Sequence, residues 1–152
     1  MKQTKNNTAT ILSVICLSLS LVVIALFGWD FLVPTTNISN TVLSVFYSPI
    51  SGLKLLIDDN LFAIFAFVGI GLVAIIFALE LAVKTRLRVL GIVGSVFSIV
   101  SAVMLGCTSI DSPSNFMMGP AAFIGITACV VITVLGILTF VVNAQQSELA
   151  KK

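Results

Sequence analysis

Glu80 and Lys84 stand four residues apart at the end of a long apolar stretch, and they are the first place to look for chemistry in this chain. A charge placed in hydrocarbon costs about 2.5–3.5 kcal/mol even on the most lenient insertion scale, so a carboxylate there is either functional or paired. Glutamate one helical turn ahead of lysine is the favourable order for an ion pair on one helix face. A proton-coupled transporter would hold its acid near the bilayer midplane, whereas Glu80 lies close to the end of its stretch. An ion pair at the inner membrane surface is therefore expected. The other candidates are small hydroxyls, thiols and glycines. Ser13, Cys16 and Ser20 recur at three- and four-residue spacing in the first apolar run. Gly91, Gly94, Ser98 and Ser101, with Ser95 and Ala102, share a broad face of the third, and Gly125, Cys129 and Thr133 follow a four-residue step in the fourth.

None of these groups has an activating partner. A serine or cysteine nucleophile needs a base beside it, and the chain contains no histidine, no nucleophile elbow and no phosphate-binding loop. No enzyme is expected. Without histidine, and with Cys16, Cys107 and Cys129 expected at different depths, there is no donor set for zinc or haem, so no cofactor is expected either. Nor is a disulfide, which needs Cα atoms within about 7 Å. The small residues read instead as helix-packing positions, because lipid provides no hydrophobic drive between helices and close van der Waals contact replaces it. Packing within one molecule is the first expectation. The sharper alternative is that a surplus stripe, on the fourth run, faces a second copy or a larger membrane complex.

The elements that must position these residues follow from hydropathy. About 20 helical residues cross a bilayer core, and four runs, over 11–33, 61–83, 89–107 and 119–142, meet or approach that length. They are continuously apolar, without the alternation of barrel strands, so helices are predicted. Hydrophobic residues make up 59% of the chain and charged ones 9%, against about a quarter charged in soluble domains. The expected fold is an all-α integral membrane protein: a single domain over 1–152 forming an antiparallel bundle of four transmembrane helices. The connections 84–88 and 108–115 are short enough to make hairpins of successive helices, and Pro120 suits the first turn of the last helix.

All but Lys54 of the eight basic residues lie at 2–5, 84–88 and 151–152. Cationic flanks stay on the cytoplasmic side during insertion, so both termini and the middle connection are expected inside a plasma (inner) membrane. The net charge of +2 sits in these flanks rather than on one face, which points to lipid headgroups and away from nucleic acid. The first run is too long for a signal-peptide core and reads as an uncleaved anchor. Trp29, beside Asp30, marks its outer end. The outer loop 34–60 carries two short apolar pieces divided at Pro49, expected to form an interfacial amphipathic element or, alternatively, a surface for a partner.

A long first outer loop, a short second one and cytoplasmic ends resemble the general plan of claudin- and tetraspanin-like proteins. The first loop here lacks cysteines and the second lacks a Cys-Cys-Gly motif, so no function is carried over. Small multidrug resistance transporters, also four short spans, hold an acid in the first helix, where this chain has none before Asp30. The expected role is a structural, accessory or interaction subunit. The alternatives are a small oligomeric transporter or pore, with Glu80 and the serines lining a polar path, and a membrane immunity or stress-protection factor.

Overall fold

The structure, a computed structural model, describes residues 2–34, 49–83, 89–110 and 116–149, and within them the side chains from Thr8 to Gln145. The chain is mostly helical. Four long helices, α1 (Lys2–Leu26), α3 (Leu61–Ala82), α4 (Leu90–Cys107) and α5 (Pro120–Leu149), are joined by a short helix α2 (Gly52–Ile57) and by three strands, β1 (Asp30–Pro34), β2 (Ile50–Ser51) and β3 (Phe116–Met118). Each long helix is long and apolar enough to cross a membrane, over Thr8–Leu26, Leu61–Ala82, Leu90–Cys107 and Pro120–Gln145. Helix α1 packs against α3 and α5, and α4 packs against the same two.

The first apolar run does not stay helical to Val33. After Leu26 the amides of Phe27, Gly28 and Trp29 bond back three residues, to the carbonyls of Ile24, Ala25 and Leu26, a tightening typical of a terminating helix. The chain then extends into β1. Its apolar character persists because Phe31 and Leu32 are wholly buried, and hydropathy alone cannot distinguish a buried strand from more helix. The all-α expectation thus holds for the bulk of the chain and misses this sheet.

β1 is the central strand, antiparallel to both β2 and β3. Leu32 faces Ile50 on one side and Met118 on the other, with a bulge between Asp30 and Leu32 on the β2 side. Further backbone bonds extend the ties: Gly52 N to Trp29 O at 3.1 Å, Leu53 N to Phe27 O at 2.7 Å, and Gly119 N to Phe31 O at 2.6 Å. The sheet therefore binds the end of α1 to the starts of α2 and α5. Gly52 makes this possible. A Cβ there would lie 2.9 Å from the Cα of Phe27 and equally close to the rings of Phe27 and Phe31. Those two rings, with centroids 4.8 Å apart, and Phe67, edge-on to Phe27 at 5.0 Å, form an aromatic plug under the sheet.

In the loop 34–60, where an amphipathic element divided at Pro49 is expected, the described part after residue 48 forms β2 and α2; residues 35–48 lie outside the described residues. Ser51 caps α2 by accepting from Lys54 N at 3.3 Å. The helix ends in a Schellman motif: Asp59 takes a left-handed φ of 55° and Asn60 N bonds to Leu55 O at 3.0 Å. The Asn60 side chain then accepts from Ala63 N at 2.9 Å and caps α3. Three consecutive polar residues, Asp58 to Asn60, thus close one helix and open the next.

Candidate functional site: a polar seam inside the helices

Helix α4 carries its small and polar residues on the inside. Gly91, Gly94, Ser95, Ser98, Ser101 and Leu105 are buried, while Val96, Ile99, Val100 and Val103 are exposed. The buried hydroxyls bond to backbone. Ser98 Oγ donates to Cys129 O of α5 at 2.8 Å. Ser95 Oγ lies 2.8 Å from Gly91 O and 3.0 Å from Thr133 O, and Thr133 Oγ1 donates to Cys129 O at 2.9 Å. Cys16 reaches from α1 to Ile132 O at 3.9 Å, a sulfur contact. Ser13, Ser20 and Ser101 donate to carbonyls of their own helices, those of Ala9, Leu17 and Phe97. A buried hydroxyl without a partner would cost several kcal/mol in such surroundings, which is why these hydroxyls all find carbonyls.

The glycines set the spacing of the seam. A Cβ on Gly91 would sit 2.6 Å from Gly136 O, and one on Gly136 would sit 2.8 Å from Gly91 O, so α4 and α5 meet backbone to backbone at this level. The Phe77 ring of α3 fills the space beside them, 2.9 Å from a Cβ built on Gly94 and 3.4 Å from one on Gly136. A Cβ on Gly125 would lie 3.3 Å from the Leu105 side chain and 3.8 Å from that of Val23. On α3, Gly69 lies against the Ser101 hydroxyl.

The stripe on α5 is therefore occupied within the molecule. Cys129 is wholly buried and Thr133 nearly so, held against α4 and reached by α1. It does not face outward as a surplus surface, because α4 and α1 approach α5 from two sides and both need small residues to do so. The structure sets Ser98 against Cys129 and Ser95 against Thr133, with Gly91 against Gly136 and Cys16 reaching Ile132, while Gly94 faces Phe77 of α3. Ser13 and Ser20 are buried as well, and their hydroxyls donate to carbonyls of α1 itself.

Glu80 lies one turn beyond Phe77, almost wholly buried. Asn143 of α5, also buried, donates its carboxamide N–H to Glu80 Oε1 at 3.2 Å. Lys84, the partner expected from spacing, lies outside the described residues. Asn143 carries little sequence signal of its own. It sits just past the expected end of the fourth run, and only the continuation of α5 to Leu149 turns it inward.

All three cysteines are free thiols. Among the described residues, no three or more histidine, cysteine or acidic side chains cluster closely enough to hold a metal. Compared with protein-family models, with curated proteins and with solved structures, the chain matches none.

Proposed function

We propose that this chain is a multi-pass membrane protein, an antiparallel bundle of four helices with both termini cytoplasmic, acting as a structural or accessory subunit of the plasma membrane. The observation that carries this reading is the inverted character of α4: glycine and serine inside, valine and isoleucine outside. In water such a helix would expose its apolar face and bury its polar one. In lipid the same distribution is favourable, since aliphatic side chains meet hydrocarbon and close backbone approach replaces hydrophobic drive. The intramembrane hydroxyls bond to carbonyls of their own or neighbouring helices, which supports a packing role over a transport path. Association with other membrane proteins then falls to surfaces outside the seam.

Carbonate extraction and reporter tags at Lys2 and Lys152 test the topology. Retention in the membrane with both tags cytoplasmic is expected; free extraction, or tags on opposite faces, would overturn it. Co-purification in mild detergent tests the role. Recovery of a stoichiometric membrane partner is expected, and a chain that runs strictly as a lone monomer without partners would rule the subunit reading out.

A second reading has one observation in its favour: Glu80 is a buried carboxyl group that accepts from the Asn143 amide. That arrangement suits a small transporter. Proton or cation flux in liposomes that disappears in Glu80→Gln would select this reading, and flux that is absent or indifferent to the substitution would discard it.

A further inference from the structure

Where α1 gives way to β1, a half-open cavity of about 250 Å³ is lined by Leu26, Trp29, Asp30, Pro120, Ala121 and Ile124. Its lining combines four apolar residues, a tryptophan and one acidic residue. Trp29 is 69% exposed and Ile124 53% exposed, so the cavity opens outward between α1 and α5, not into the seam.

The walls are held in place from both sides. Trp29 N bonds to Leu26 O at 2.9 Å and Trp29 O accepts from Gly52 N at 3.1 Å. Asp30 pairs with Ser51 in the sheet. Across the cavity, Gly119 N bonds to Phe31 O at 2.6 Å, and Gly119 lies so close to the Asp30 carbonyl that no side chain would fit. The first turn of α5 is thereby set against the Trp29–Asp30 corner.

We infer that this cavity binds the headgroup of a zwitterionic phospholipid carrying an ammonium group. The inference rests on the membrane reading above, which sets the end of α1 at headgroup depth. An ammonium is matched by the Asp30 carboxylate and by the face of the Trp29 indole, whose quadrupole attracts cations. Leu26, Ala121 and Ile124 continue the groove toward the hydrocarbon, where the acyl chains belong. Size points the same way. Sites for whole drug-sized ligands enclose about 300–1,000 Å³, and this one suits a headgroup.

Trp29 is the only tryptophan in the chain, so its fluorescence reports on the cavity without interference. The full-length protein is placed in vesicles of equal parts phosphatidylethanolamine and phosphatidylglycerol, with bromine at a shallow acyl position on one lipid or the other. Brominated phosphatidylethanolamine is expected to quench more strongly, with a relative affinity of roughly two- to five-fold, the range of an exposed cation–π contact. Asp30→Asn is expected to erase that preference while leaving total quenching in place. Ile124→Lys, which supplies a tethered ammonium from an exposed position, is expected to erase it as well, and keeps the test open should Asp30→Asn fail to fold. Equal quenching by both lipids in the unmodified protein, or a preference that survives both substitutions, overturns the site. Absence of quenching by either lipid overturns the membrane reading, and the site with it.

Discussion

Asn143 and Glu80 are 63 residues apart in the chain and 3.2 Å apart in space, so a bond between the third and fifth helices closes the end of the molecule that holds the C-terminus of α3. Phe77 is one turn above it, wedged between Gly94 and Gly136. The carboxylate is thus separated from the rest of the seam by an aromatic ring and joined to α5 by an amide. Removing Asn143 would take one hydrogen-bond donor from a buried carboxyl group.

Asn143→Ala is expected to lower stability by about 1.5–3 kcal/mol, the range for hydrogen bonds to charged groups. Reversible unfolding in mixed micelles measures it. A double-mutant cycle with Glu80→Gln should give a coupling energy of the same sign, and a coupling indistinguishable from zero would show that the two side chains act independently.

The glycines separate sharply by position. Gly136→Leu drives a side chain into Gly91 O and the Ser95 hydroxyl, and overpacking of this kind costs about 1–3 kcal/mol or more. Gly71, by contrast, has nothing within 4 Å of an added Cβ. Gly71→Ala is expected to be neutral or to stabilise by up to about 1 kcal/mol through helix propensity. Equal losses from the two substitutions would contradict the close approach of α4 and α5.

The interhelical hydroxyl bonds are worth less than the glycine contacts. Ser98→Ala removes the donor to Cys129 O, and such bonds in membrane proteins average about 0.6 kcal/mol. A loss several times larger, comparable to Gly136→Leu, would mean that Ser98 does more than tie two helices.

Asp59 holds a left-handed φ of 55°, a conformation that costs an ordinary L-residue roughly 1–2 kcal/mol. Asp59→Gly is expected to preserve or raise stability and Asp59→Val to lower it by about 1 kcal/mol or more. The opposite order in thermal unfolding would argue against the Schellman ending of α2.

The sheet makes a prediction for amide exchange. Leu53 N–H, bonded to Phe27 O, and Gly119 N–H, bonded to Phe31 O, lie outside the long helices yet should exchange far more slowly than free loop amides. Exchange at loop rates would dissolve the sheet as a structural tie.

Helix formation was legible from residue order because it depends on local quantities. Runs of apolar residues long enough to span, glycine and serine repeating every three or four positions, and Pro120 at a helix start are all short-range patterns, and each meets its helix in the structure. Asp58 to Asn60 likewise act within a few residues of themselves. Phe27 to Val33 was not legible, since a strand with Phe31 and Leu32 buried and a membrane helix present the same hydropathy, and only pairing with Ile50 and Met118 distinguishes them. The partner that Asn143 finds in Glu80, the inward turn of the α5 stripe toward α4 and α1, and the cavity beside Trp29 all join distant segments. Local order carries no information about which distant backbone will arrive, and that was decided when the helices closed on their glycines.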